Sequence, residues 1–120
     1  MRMRYRRFEV LLPHQFNGGR AVPRKWLIEA IFELAEYFGG VSHESQKVSG
    51  IWHHQKVIYR EKFTRVVVDV DDKPENRQWL KRYRNRWKIR LQQIELWMVS
   101  YRIEIEQTMD GCSSFDLIIA

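Results

Sequence analysis

Between residues 77 and 90 the chain places Arg77, Lys81, Arg82, Arg84, Arg86, Lys88 and Arg90, with no acid among them. At helical spacing these side chains sort into two stripes. Arg77, Lys81, Arg84 and Lys88 share one flank, and Arg82, Arg86 and Arg90 share the opposite one. Guanidinium and ammonium groups repeated along a helix face can follow a phosphate backbone, and nearby Tyr, Trp and Arg planes can stack on the bases of a single strand. The N-terminal part adds Arg2, Arg4, Arg6, Arg7, Arg20, Arg24 and Lys25, with Glu9 the lone acid through residue 25. The expected binding surface is therefore Arg77, Lys81, Arg84 and Lys88, extended by Arg4 and Arg6. The ordinary alternative is that Glu29, Glu33 and Glu36 of a neighbouring helix neutralise one stripe, and only one of the two can face that neighbour.

Four histidines, His14, His43, His53 and His54, carry the side chain whose ordinary pKa suits acid–base chemistry near neutrality. His14 and His53 are the candidates for a metal-independent ribonuclease in which histidines act as general base and acid on an RNA 2′-OH, with Lys or Arg stabilising the phosphorane charge. Loops and strand ends, where all four fall, are also where polar residues ordinarily sit. His53 and His54, adjacent in an extended segment, point to opposite faces and would not act as a pair. Asp69, Asp71 and Asp72 could offer oxygens to Mg²⁺, but a turn leading into a helix uses the same residues. No His/Cys spacing fits zinc, and the single Cys112 has no disulfide partner. No metal and no cofactor is expected. Asn17-Gly18-Gly19 could cradle a phosphate with backbone N–H groups, yet it matches neither the P-loop nor the dinucleotide fingerprint, and a plain strand-to-helix loop is the simpler reading.

The elements that must position these groups follow from periodicity. Tyr5 to Leu12 alternates as a strand that ends at Pro13. Arg24 to Phe38 is a helix with Leu27, Ala30, Ile31, Leu34 and Phe38 on one face, stopped by Gly39-Gly40. Val41 to Gln46 is a short strand, broken at Ser49-Gly50. A long extended run from Lys56 to Val70 then places Val57, Tyr59 and Phe63 in one register and Val66, Val68 and Val70 in the other, which a bulge near Thr64 would reconcile. Asp72-Lys73-Pro74-Glu75 has the form of a capping box, and Leu80, Tyr83, Trp87, Leu91 and Ile94 mark the buried side of the helix it starts. From Gln93 to Ile105 the period returns to two, with Trp97, Val99, Tyr101, Ile103 and Ile105 on one face and Ser100, Arg102 and Glu104 on the other.

Strand, helix, strand, strand, helix, strand is the order of the ferredoxin-like split βαβ sandwich, an α+β fold with two helices on one face of an antiparallel sheet. Residues 1–106 form that single domain. Residues 107–120 form a tail, a linker followed by Phe115-Asp116-Leu117-Ile118-Ile119-Ala120, which is apolar enough to add a strand. At 120 residues and 44% hydrophobic content the chain can build one core without disulfides or metal. Its net charge of +6 and pI of about 9.7 favour a polyanionic partner. No apolar run approaches the roughly 20 residues that span a bilayer, and no signal-peptide pattern opens the chain, so a cytoplasmic protein without a membrane partner is expected. The sheet face left open by the helices, with Leu96 and Met98 as its candidate apolar residues, makes a homo-oligomer the expected assembly.

Gly39-Gly40-Val41, Gly50-Ile51-Trp52, Tyr59 with Glu61, Arg65, Val68-Asp69-Val70 and Gln93-Ile94-Glu95-Leu96-Trp97 with Tyr101, taken at their joint spacing, resemble a group of short uncharacterised bacterial proteins. The resemblance covers residues 5 to 105. It implies a compact single domain and brings no activity, substrate or catalytic residue. The residues themselves point first to a non-enzymatic, homodimeric binding module whose basic helix takes a polyanion such as RNA or DNA. Two other readings stay open: a small metal-independent ribonuclease using its histidines, and a structural or accessory oligomer whose partner is another protein.

Overall fold

The computed structural model describes residues 4–52 and 57–106, with the backbone alone at 48–52 and 57–60. The elements are β1 (Tyr5–Pro13), α1 (Arg24–Phe38), β2 (Ser42–Trp52), β3 (Val57–Asp71), α2 (Pro74–Arg90) and β4 (Met98–Ile103). The strands make one antiparallel sheet in the order β2-β3-β1-β4. Each strand–helix–strand passage thus steps over a strand running the opposite way, β3 between β1 and β2, and β1 between β3 and β4. This is the ferredoxin-like α+β arrangement that the element order predicts.

Opposed residues of an antiparallel pair share a sheet face. The pairs Phe8↔Val68, Val10↔Val66 and Leu12↔Thr64 therefore bring buried side chains of β1 and β3 to the same side. Ala30 and Leu34 of α1, Leu80, Tyr83 and Trp87 of α2, and Leu91 just beyond it close over them as one core. The buried Tyr83 hydroxyl donates to the Ala30 carbonyl at 2.8 Å, which ties the two helices together and satisfies the polar end of an otherwise apolar ring. Trp79 stacks on both Tyr37 and Tyr83 at the other end of the helix pair.

α1 ends as its glycines predict. Gly39 sits at φ 87° and donates its N–H to the Ala35 carbonyl at 2.8 Å. No atom lies within 4 Å of a Cβ placed there, so Gly39→Ala meets only backbone strain. Its expected cost is about 1 kcal/mol, read as a lower denaturant midpoint at unchanged m-value.

Several local expectations are corrected. β2 runs through Ser49 and Gly50, which pair with Arg60 and Tyr59, so the expected break is absent; the long partner strand holds the register. β3 needs no bulge at Thr64, since its pairing with β1 and β2 is continuous. Phe63 simply lies on the opposite sheet face from Val66 and Val68, beside Arg65 and Val67. α2 ends at Arg90 because the chain turns through Gln92 at φ 54°, which leaves Ile94 87% exposed rather than in the core. The faces of β4 are inverted. The pairs Val10↔Met98 and Phe8↔Ser100 turn Met98, Ser100 and Arg102 toward the helices and Val99, Tyr101 and Ile103 to the open face. Leu96 is buried and Met98 packs on the core, so neither is an open-face residue; Trp97 and Tyr101, 48% and 41% exposed, are. The tail at 107–120, with its expected strand, lies outside the described residues.

Candidate functional site

The two basic stripes of α2 have different fates. On the flank toward α1, Arg86 pairs with Glu33, whose other oxygen accepts from Trp87 Nε1 at 2.9 Å. One turn on, Arg90 Nη1 donates to Glu29 at 2.8 Å while its guanidinium lies 4.5 Å from the Trp26 ring centre and 4.7 Å from that of Trp87. The Arg90 hydrogen bond holds the Glu29 carboxyl below its usual range, and the same bond pushes the Arg90 guanidinium up. The glutamates of α1 therefore neutralise Arg86 and Arg90 across the helix–helix seam.

Arg82, the third cation of that stripe, is exposed and makes no ion pair among the described residues, and on the opposite flank no glutamate of α1 is engaged. Among the described residues Lys81, Arg84 and Lys88 make no ion pair and no side-chain hydrogen bond, and Arg84 Nε is buried with nothing to donate to. At 1.5 Å of rise per residue, Arg77 to Lys88 lays four cationic side chains along about 16 Å of helix.

At the N-terminal end of that stripe the charges converge on Asp72. Its side chain is 4% exposed, accepts from Arg6 Nε at 3.1 Å, and lies 3.4 Å from Arg102 Nε and 3.8 Å from Arg77 Nε. Burial opposes the ionised form, but the Arg6 hydrogen bond and the charges of Arg6, Arg77 and Arg102 prevail and hold the carboxyl below its usual range. Arg6 Nη1 also donates to Ser100 Oγ on β4 at 3.1 Å. The backbone carbonyl of Arg4 accepts from the Asp72 N–H at 2.8 Å, so Arg4 flanks the same corner. The expected capping box is thereby overturned: Lys73 is the N-cap and makes no side-chain cap bond, because the Asp72 carboxylate is drawn to the arginines. Helix entry relies instead on Pro74 in the first turn and on Asn76 Nδ2 donating to the Asp71 carbonyl at 2.9 Å.

Of the six expected binding residues, Arg6 and Arg77 meet at Asp72, Lys81, Arg84 and Lys88 continue the α2 stripe beyond Arg77, and Arg4 reaches Asp72 through its backbone carbonyl. Sequence reasoning missed Arg102. Its signal was the β1–β4 register, in which Arg102 opposes Arg6, and that register cannot be read from either strand alone.

His14 is not assembled with a second histidine. Its Nε2 shares a 2.7 Å hydrogen bond with Thr64 Oγ1, its N–H donates to the Lys62 carbonyl and its carbonyl accepts from the Val22 N–H. His43 is an exposed residue of β2 opposite Val66, and His53 lies outside the described residues. Burial, then the Lys62 charge, pushes the His14 pKa down. Protons therefore bind the unfolded chain more readily than the folded one, and His14 favours folding above the ordinary histidine pKa and ceases to do so as pH falls through its lowered value. Urea titrations at pH 7 and pH 5 should show a stability loss at pH 5 that His14→Gln reduces; an unchanged loss would remove His14 as its source.

The Asn17-Gly18-Gly19 segment is a tight turn, with the Phe16 N–H donating to Arg20 and the Gly19 N–H to Phe16, and Asn17 Nδ2 donating to Gln92 O at 3.0 Å. Of its amides, that of Gly19 serves the turn. Among the described residues no three His, Cys, Asp or Glu side chains converge. Asp69 lies on the open face in a two-point pair with Arg7 at 2.8 and 3.0 Å, separate from Asp72 on the helix side. Arg65 bridges Glu9 and Glu44, and Tyr101 donates to Glu9 at 2.7 Å, completing a mutually satisfied network on that open face.

No family model matches the chain, and no curated protein matches it by sequence. Among solved structures, a phage SAM lyase in complex with S-methyl-5′-thioadenosine superposes with a TM-score of 0.60 at 6% identity, covering 92% of this chain and 84% of that one. The two proteins share the fold. No helix among the described residues is long and apolar enough to cross a membrane.

Proposed function

We propose that this protein is a non-enzymatic binding module that holds a nucleic-acid strand on the outer flank of α2. The observation that carries the reading is the asymmetry between the two stripes: α1 neutralises Arg86 and Arg90, while Arg77, Lys81, Arg84 and Lys88 stand along the other flank with one shared, buried carboxylate among them. The exposed Trp97 and Tyr101 on the open sheet face support a second copy of the chain as the other partner.

The test is binding of a mixed-sequence RNA and its DNA counterpart across a salt series, with the mass of the complex measured by light scattering and the RNA inspected afterwards on a gel. The expected result is a salt-sensitive complex with intact RNA. Shortened RNA would put the ribonuclease reading in its place. An oligomer indifferent to nucleic acid would favour protein interaction, and turnover of SAM, after the fold neighbour's activity, would make the protein an enzyme.

A further inference from the structure

The Asp72 corner differs from the rest of the stripe in charge density and in construction. Arg6, Arg77 and Arg102 approach one carboxylate, which leaves a local excess of two positive charges. Three guanidiniums offer about fifteen N–H donors, whereas a carboxylate has roughly four acceptor sites. Arg6 is the anchored member, fixed by both Asp72 and Ser100. Arg102, with its side chain 68% exposed, and Arg77 hold Asp72 only at 3.4 and 3.8 Å. Most of their donor capacity is therefore available to another acceptor. Glu104, two residues beyond Arg102, has interactions of its own. Glu75, two residues before Arg77, projects from the helix about 200° away around its axis.

The corner also marks an end. α2 begins at Pro74, so the stripe's first cation, Arg77, stands in the first turn of the helix. A strand lying along Lys88, Arg84 and Lys81 reaches the cluster as its final contact. An internal phosphodiester brings one negative charge, whereas a phosphomonoester carries about 1.5 to 2 at neutral pH and three acceptor oxygens, which matches both the excess charge and the forked geometry of the donors.

Resting on the polyanion reading, we propose that Arg6, Arg77 and Arg102 form a pocket for the terminal phosphate of a nucleic-acid strand whose internal phosphates follow Lys81, Arg84 and Lys88. Asp72 is its positioning residue, holding three like charges together in the absence of ligand.

The experiment compares one oligoribonucleotide, and its DNA counterpart, with a 5′-phosphate, with a 3′-phosphate and with hydroxyls at both ends, by fluorescence anisotropy at fixed salt. One terminal phosphate is expected to tighten binding at least tenfold, and inorganic phosphate should erode that advantage before it affects the hydroxyl-ended strand. Arg102→Gln, at an exposed position, should abolish the advantage, so that phosphorylated and hydroxyl-ended strands bind this variant alike. Salt-sensitive binding that ignores the terminal phosphate would overturn the pocket and leave the strand-binding module standing. Failure of every strand to bind at low salt would overturn the module, and the pocket with it.

Discussion

Reversing two charges on the outer flank of α2, Arg84→Glu with Lys88→Glu, is expected to weaken binding of any single strand by at least tenfold and to flatten its salt dependence. Each phosphate neutralised on a single strand contributes about −0.7 to the slope of log K against log salt, so four contacts give about −2.8 and two give about −1.4. Between 50 and 200 mM salt the parent should then lose roughly fifty-fold in affinity and the double variant about sevenfold. The loss should be the same for all sequences, because phosphate contacts carry no base information. Two comparisons separate this from damage to the fold. Lys81→Glu with Lys88→Glu leaves the partly buried Arg84 in place and should weaken binding similarly. Arg86→Gln removes a cation that Glu33 already neutralises and should leave binding nearly unchanged. Equal losses for Arg86→Gln and for the outer-flank variants would mean that general charge, not the outer stripe, attracts the strand.

How much of this surface the sequence discloses depends on the range of the interaction that decides each feature. Local periodicity is enough for α1 and α2, whose apolar positions at three- and four-residue steps are the ones that pack. It is enough too for the αL stop at Gly39 and for the split of the α2 cations into two stripes. Which stripe is neutralised depends on how α2 lies against α1, and that is decided by Tyr83 and Trp87 reaching Ala30 and Glu33 more than fifty residues away. The role of Asp72 was misread for a similar reason. A capping box is the best local use of Asp-Lys-Pro-Glu, but arginines brought from β1 and β4 offer the carboxylate three charged partners instead of first-turn amides. The faces of β4 went wrong because its own alternation places the larger apolar residues at Val99, Tyr101 and Ile103, whereas pairing with Phe8 and Val10 assigns the opposite parity to the helix side. A one-residue shift of register exchanges the faces of a strand, and edge strands such as β4 carry the weakest local signal for choosing between them.

Trp87→Ala is expected to be the most damaging single substitution in α2, costing about 3–5 kcal/mol and lowering the melting temperature by roughly 15 °C or more. The ring is almost completely buried against the sheet core, and its N–H is committed to Glu33. Its loss leaves a cavity, a carboxylate short of one donor, and Arg90 without one of the two aromatic faces between which it lies. Trp87→Phe keeps most of the buried area and removes the N–H, so its cost should be nearer 1–2 kcal/mol. The pair of variants tests how α2 is held independently of what it binds. Trp87→Phe should retain strand binding and its salt slope, because the Trp87 N–H is committed to Glu33 on the α1 side and makes none of the proposed phosphate contacts. If Trp87→Ala were as stable as the parent in thermal unfolding, the inner seam could not be what fixes α2 in its rotation. The assignment of Lys81, Arg84 and Lys88 to the outer face would then lose its structural basis. A large destabilisation by Trp87→Ala together with normal binding by Trp87→Phe would instead show one helix serving two ends, anchored through Trp87, Arg86 and Arg90 on the α1 side so that Lys81, Arg84 and Lys88 stay presented to the strand.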